Sequence, residues 1–385
     1  MNKQRKDKDY TMNQHTGVTS RNTQMDILRG LTIILMVLGH CGFPGTHFIY
    51  LFHMAVFFFV SGYFYKDACS ETVGSMWKYI KHKLKTLWLP YVLWNTIFVL
   101  LNNWFIRMNV YTDNPELVKA VGEEYAVLHH YMTGTEMLKE IVKNLAFYGG
   151  TTMGGALWFL QTLFFVAIAY ALIDFLLKKS RIGYKHHMIV QGCIALIFLG
   201  VGYWSSVTGI TFHAMERVVS CYILYYLGLL LRKYEKTEKS TFYRVGKIII
   251  ATVVLLVCNK IGAIALNINS YENPLFLLVT SIAGWMLLVE ISYFINQIRW
   301  LQAGLTVVGQ NTLPIVVLHL LSFKLVSVIG VMVEGLPVYM VAAFPVLFYG
   351  GAWWVAYTVA GVSLPLLVAI VKNICCRRLL QKERN

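Results

Sequence analysis

The chain has 385 residues, of which 57% are hydrophobic and 14% charged, with a mean hydropathy of +0.56. Soluble domains carry about one-quarter charged residues, so a soluble globular fold is excluded, and with 14% aromatic residues so is disorder. Seven scattered Cys follow no metal-ligand spacing and form no disulfide framework, and the formal charge of +15 reports topology before it reports a nucleic-acid partner.

The composition predicts an all-α, polytopic integral membrane helical bundle. A bilayer core of about 30 Å needs roughly 20 apolar residues per helix. Ten such runs follow in chain order: 27–43, 48–65, 87–106, 156–177, 188–204, 218–231, 248–265, 274–295, 312–333 and 350–371. The apolar region from Val338 onward overshoots a single span and is expected to hold either a broken helix or two spans.

Charge counting selects ten spans. With the N-terminus inside, inner segments carry Lys3, Arg5, Lys6, Lys8 and Arg21, then Lys66, Lys78, Lys81, Lys83 and Lys85, then Lys178, Lys179, Arg181 and Lys185. Arg232, Lys233, Lys236, Lys239, Arg244 and Lys247 follow, then Arg299, and last Lys372, Arg377, Arg378, Lys382 and Arg384. These are 26 of the 34 basic residues. The bias requires both termini to be cytoplasmic, in a multi-pass protein of the plasma (inner) membrane. The expected organisation is a polar cytoplasmic tail over 1–24, a membrane domain over 25–372 and a basic cytoplasmic tail over 373–385. The first segment lacks the apolar core of a signal peptide. The one sizeable outer segment, 107–155, holds His129 and His130 and reads as a solvated loop with a short helix near 136–147, or as a cap over the bundle.

Ionisable residues inside spans are costly and usually face a bundle interior or watery cavity. Arg29 and His40 are eleven residues apart in the first span, about 20° past three full turns, and so share a helical face with His40 about 16 Å deeper. Asp26 lies on nearly the same stripe. Arg29 can bind phosphate or carboxylate through several donors and His40 can exchange a proton near neutral pH. On spacing alone, an interfacial anchor and a packing histidine account for the pair equally. The second span adds His53 and Ser61. The fourth places Trp158, Gln161 and Thr162 on one face, the sixth opens with Glu216 and Arg217 as an expected ion pair, and the ninth follows Asn311 and Thr312 with His319. Each of these also fits helix-packing glue, a transporter or a proton relay.

Taken in order, these segments resemble acyltransferase family 3, membrane enzymes that O-acylate sugars and cell-envelope polymers. The match runs from Asp26-Ile27-Leu28-Arg29-Gly30 to Gly39-His40, an arginine, ten residues and a histidine. It continues through His53-Met54-Ala55-Val56-Phe57-Phe58-Phe59-Val60-Ser61-Gly62-Tyr63, with Ala55 where proline is usual, and Lys83-Leu84-Lys85-Thr86-Leu87-Trp88-Leu89-Pro90-Tyr91. Leu157-Trp158-Phe159-Leu160 and Gly309-Gln310-Asn311-Thr312-Leu313 with His319 complete it.

The resemblance implies about ten spans and catalysis by His40 with Arg29 as its partner, Asp26 holding Arg29. It implies that acetyl-CoA or another short acyl-CoA is the cytoplasmic donor substrate, with no bound cofactor or metal. The acceptor is expected to be a sugar or polysaccharide, which can be lipid-linked, and glycan-biosynthesis proteins are the expected partners. Trp158, Gln161, Asn311 and His319 become cavity-lining candidates, with His53, Ser61, Glu216 and Arg217 in support. Lys78, Lys81, Lys83 and Lys85 replace the arginine-rich element usual after the second span. They join Arg29 as candidates for the CoA phosphates, though a lysine lacks the bidentate fork. With only a short basic tail after residue 371, the membrane domain is expected to serve its acceptor without a fused hydrolase-like domain, unaided or with a separate partner. The alternatives are an exporter or flippase of a polysaccharide or lipid-linked sugar, and a sensor or racemase-associated membrane module. A transporter would more often show two related halves, and no such repeat is visible.

Overall fold

Asn22 caps the first helix, its side chain accepting from the Met25 amide at 3.2 Å, and the helix α1 (Thr23–Leu38) ends where Gly39, Gly42, Pro44 and Gly45 crowd the sequence. In this computed structural model the described residues are 22–180, 183–234 and 240–382. Lys3, Arg5, Lys6, Lys8, Arg21, Arg181, Lys236, Lys239 and Arg384 of the charge count lie outside them, with all but the end of the expected N-terminal tail. So do the side chains of Lys185, Arg377, Arg378 and Lys382.

The rest is an all-α bundle. A short α2 (Thr46–Tyr50) leads into α3 (His53–Tyr63). After a 3₁₀ turn (Asp67–Ser70), the Thr72/Ser75 capping box starts α4 (Val73–Lys83). A π-helical turn (Leu84–Trp88) joins α4 to α5 (Leu89–Leu100), followed by α6 (Asn102–Arg107). The lysines expected in an inner loop therefore lie on a continuous helix. Next come α7 (Glu116–Val121), α8 (Gly134–Leu145), α9 (Trp158–Lys179), α10 (Tyr184–Thr208), α11 (Met215–Tyr234) and α12 (Thr241–Ile261). A two-stranded hairpin, β1 (Ile264–Ala265) with β2 (Ser270–Tyr271), precedes α13 (Pro274–Ile295), α14 (Arg299–Gln310), α15 (Thr312–Glu334) and α16 (Trp353–Lys382).

Seven helical stretches among the described residues are long and apolar enough to cross a bilayer. The other three expected spans are helical too, as α1, α5 with α6, and α11. Burial separates an inner from an outer ring. In α12 only 17% of the most apolar stretch is buried, against 67% in α15, so apolar side chains of α12 such as Ile249, Val253 and Leu256 are left to face hydrocarbon.

The inner ring is centred on α1, which packs against α3, α13, α14, α15 and α16. Its contact with α14 is made by backbone. A Cβ on Gly309 would lie 1.8 Å from the Asp26 carbonyl oxygen, and one on Gly30 would lie 2.4 Å from that of Leu305, so only glycine permits the crossing. The amphipathic α14 thereby sets where Asp26 and Arg29 stand.

The region after α15 is a broken element and not an extra span. A 3₁₀ turn (Val338–Ala342) is followed by irregular chain up to α16. Free carbonyls at membrane depth need donors. Lys324, 2% exposed within α15, supplies them: its Nζ donates to the carbonyls of Val341, Ala342 and Ala343 at 3.1, 3.2 and 2.6 Å.

The segment 107–155 is packed down on the bundle as a cap. The Phe344 amide donates to Tyr125 O at 2.8 Å, and Leu117 packs on Ala342 and Ala343. α8 lies along α5, and the chain after it dips between helices. There the Trp88 indole donates to Leu145 O, Tyr91 donates to Gly149 O, and Gln161 Nε2 donates to Phe147 O.

Candidate active site

The helix carrying Arg29 stops two residues short of His40. His40 thus sits in the turn that closes α1 and not within the helix itself, its amide bonded to Val37 O at 3.0 Å. Tyr50 holds that turn, its hydroxyl donating to Gly39 O at 2.9 Å. Gly39 keeps right-handed helical backbone geometry, so the helical path continues to His40, and Gly42, at φ +72°, with Pro44 ends it just beyond.

Two cavities result. The first, about 350 Å³, is lined by His40, His53, Tyr50 and Trp158, with the hairpin residues Ile264 to Asn267 and with Phe344 and Pro345 at its rim. The second, about 320 Å³, is lined by Arg29, Ser61, Thr86 and Thr312. Phe57, Phe159 and Val316 line both, so the two cavities share that wall.

In the first cavity, His40 Nδ1 meets the Met36 carbonyl at 2.8 Å. A carbonyl only accepts, so Nδ1 carries the hydrogen and Nε2 keeps the lone pair. The His319 ring packs edge-on against His40 with centroids 5.3 Å apart. His319 is fully buried behind His40 and does not itself line the cavity. Tyr50 stacks on His53 at 5.1 Å.

In the second cavity, Arg29 pairs with Asp26 at 3.6 Å, Gln310 Nε2 donates to Asp26 at 3.3 Å, and the guanidinium lies over the Phe64 ring. Asp26 is 3% exposed, so the ion pair fixes a partly buried guanidinium at a cavity wall. Among the four candidate lysines, Lys78, Lys81 and Lys85 are exposed. Lys83 is partly buried, its ammonium over the Tyr79 ring.

Three expectations are corrected. Glu216 and Arg217 do not form an ion pair, because successive residues on a helix point about 100° apart. Glu216 instead accepts from the Phe212 amide at 3.1 Å, and Arg217 donates to Gln161 Oε1 at 3.0 Å and Asn267 O at 2.8 Å while facing the Trp158 ring. Gln161 lines neither cavity, since its amide ties Arg217 to the Phe147 carbonyl. Asn311 donates to Val307 O at 2.8 Å, satisfying a carbonyl at the end of α14, and also lines neither cavity. Arg217 and Gln161 thus brace Trp158 and the hairpin that form one wall of the His40 cavity.

Two buried acids escaped the sequence reading. Asp174 of α9 accepts from Tyr65, Lys178 and Ser70 and pairs with His187 at 2.7 Å, clamping the chain after α3 to α9 and α10. Glu290 of α13 pairs with Arg244 and Lys247 of α12. Both stand near the ends of apolar runs rich in lysine or arginine, where a charge reads as an interface residue.

In the outer cap, His129 stacks on Tyr111 at 3.7 Å, and its Nε2 meets the Thr152 hydroxyl at 2.9 Å. Burial holds its pKa below the ordinary histidine value, the Val127 carbonyl opposing and the Lys324 and His130 charges adding to the shift.

The helical bundle thus holds a tautomer-fixed histidine beside one cavity and an ion-paired arginine beside the other. The chain belongs to acyltransferase family 3, whose model, described as an acyltransferase domain, matches residues 22–373. It is a membrane acyltransferase, and the multi-pass bundle agrees with that family. Comparison with curated proteins and with solved structures finds no match.

Proposed function

We propose that this protein is a membrane O-acyltransferase that moves an acetyl or other short acyl group from cytoplasmic acyl-CoA to a hydroxyl of a cell-envelope sugar or polysaccharide. The observation that carries the reading is the shared partition between the Arg29 and His40 cavities. Donor and acceptor approach it from opposite sides, with both termini cytoplasmic and the chain in the plasma membrane.

In this reading Arg29 is held by Asp26 to meet an anionic group of the donor, and Lys78, Lys81, Lys83 and Lys85 draw the CoA phosphates to the same end. The thioester carbonyl reaches the partition beside His40. Nδ1–H stays on the Met36 carbonyl, so Nε2 is the reacting atom. Acting as general base, Nε2 takes the acceptor hydroxyl's proton as the oxygen attacks the carbonyl, then gives it to the departing CoA thiolate. Acting as nucleophile, Nε2 is acylated as CoA leaves as thiolate, and the acceptor oxygen then attacks the acyl-imidazolium, returning the lone pair to Nε2 while the hydroxyl's proton passes to the CoA thiolate. The fixed tautomer suits both routes. Trp158, braced by Arg217, and Asn267 offer the acceptor an aromatic face and an amide.

The test is a vesicle assay with labelled acetyl-CoA, comparing the intact protein with His40→Ala and Arg29→Ala. Both substitutions are expected to abolish label transfer while the protein still inserts and folds. Transfer by His40→Ala at the wild-type rate would overturn the mechanism, and mass analysis of envelope glycans then names the acceptor.

A further inference from the structure

Three imidazoles around the first cavity share one hydrogen-bonding pattern. His40, His53 and His319 each hold Nδ1 against the carbonyl four residues earlier, those of Met36, Ile49 and Ile315, at 2.8, 2.9 and 3.0 Å. In each neutral ring, then, Nε2 is an acceptor. For His53 and His319 that acceptor is a problem, since each Nε2 is buried with no hydrogen-bond partner among the described residues, and of the two only His53, 3% exposed, lines the cavity. A buried unsatisfied acceptor is destabilising until a donor reaches it.

His53 and His40 line the same cavity, with Tyr50 packed against both. The Tyr50 hydroxyl is committed to Gly39, so it does not serve His53. Most of the remaining wall is apolar, from Met36, Met54 and Phe57 to Ile264, Leu266 and Phe344. A ligand suited to this chamber presents two neighbouring donors and carries no charge. Carboxylates and phosphates offer only acceptors to the two nitrogens, and an ammonium would be a buried charge without a counter-ion. Two adjacent hydroxyls meet the requirement.

We infer that His53 accepts a hydrogen bond from a second hydroxyl of the acceptor, beside the hydroxyl deprotonated at His40, so that the chamber selects a sugar bearing a vicinal diol. This rests on the acyl-transfer reading above and names its acceptor class. His53 is then a positioning residue: it takes no proton in the reaction and fixes which oxygen faces the acyl carbon. His319, which packs behind His40 and does not line the chamber, has no part in it.

The experiment uses the full chain in nanodiscs with labelled acetyl-CoA and a panel of methyl hexopyranosides of gluco, galacto and manno configuration. For the best acceptor, the analogue lacking the hydroxyl next to the acetylated one is compared with the parent. In the wild type, the deoxy analogue is expected to show a KM raised about tenfold at nearly unchanged kcat, equivalent to about 1.4 kcal/mol. His53→Phe raises the parent's KM by a similar factor and abolishes the discrimination, while His53→Gln, which keeps an acceptor oxygen, restores part of it. Equal use of parent and deoxy analogue by the wild type overturns the inference, as does discrimination that survives His53→Phe. Consumption of acetyl-CoA with no glycoside accepted overturns it as well. All three leave acyl transfer standing, whereas no acetyl turnover by the wild type sinks the underlying reading too. If His53→Phe does not fold, the wild-type comparison alone decides.

Discussion

Replacing Lys324 by Met tests whether one buried ammonium holds the rim of the His40 cavity. Lys324 Nζ donates to three successive carbonyls, those of Val341, Ala342 and Ala343, and no helix or strand hydrogen-bonding ladder continues beyond them. Hydrogen bonds to a charged group contribute about 1.5–3 kcal/mol each, and the buried charge costs several kcal/mol in lost hydration. Methionine fills the same volume and removes both effects, leaving three carbonyls without their donor at about 1–3 kcal/mol each. Part of that is recovered where the chain turns outward to water. A net local destabilisation of about 3 kcal/mol is expected, which is about a 100-fold larger opening equilibrium for residues 338–352. Hydrogen exchange in nanodiscs reads this directly, with the Phe344 amide, bonded to Tyr125 O, as the reporter. Because Phe344 and Pro345 line the cavity, acceptor KM should rise in the same variant. Exchange over 338–352 within twofold of wild type would refute the argument.

Three other outcomes are expected. Gly309→Ala pushes α14 off α1, since its Cβ would meet the Asp26 carbonyl; a loss of about 1–3 kcal/mol should appear as a lower thermal midpoint in detergent, and an unchanged midpoint would contradict the backbone contact. Phe159→Ala thins the partition between the cavities, so the ratio of hexanoyl-CoA to acetyl-CoA use should rise about tenfold or more, and a constant ratio would count against a partition that limits acyl length. His129 has a folded pKa below its ordinary 6.5, so the folded cap binds fewer protons than the unfolded chain in that range. Its stabilising share is complete above about pH 6.5 and is lost as the pH falls through the folded value. Hydrogen exchange at residues 127–130 and 151–153 should accelerate as the pH is lowered from 7 to 5, and His129→Gln should flatten that dependence.

Much of the architecture was legible because span length and apolar content are one-dimensional properties. All ten apolar runs are helical, and the i, i+3 pairing of Asp26 with Arg29 needed only helix geometry. The count of residues did not show that α1 ends at Leu38 and leaves His40 in the turn that closes it, because the end of a helix depends on the chain that follows. The lysines from Lys78 to Lys85 read as a loop because charge outweighed helical periodicity, yet the Thr72/Ser75 capping box was present in the sequence. Lys324 offered a usable signal: a lone cation inside a long apolar run, followed by an apolar stretch too long for one helix. Neither half of that signal means much alone, and only the fold brings the ammonium to the carbonyls. Arg217 was expected to use its neighbour Glu216 and instead joins residues far away in sequence, Gln161 and Asn267. Such partners are set by packing and lie beyond local pattern.

The layer formed by Phe57, Phe159 and Val316 also has an electrical meaning. Over most of the bundle the membrane voltage falls across a hydrocarbon thickness of about 30 Å. Where water fills both cavities, more of the drop is concentrated on the wall they share, so the local field there is steeper. In the proposed mechanism a proton leaving His40 would cross part of that drop, which is worth up to about 2.3 kcal/mol per 100 mV for a full crossing. The turnover of this enzyme should then depend on the energised state of its membrane, and in polarised vesicles voltage becomes a second substrate-like variable beside donor and acceptor.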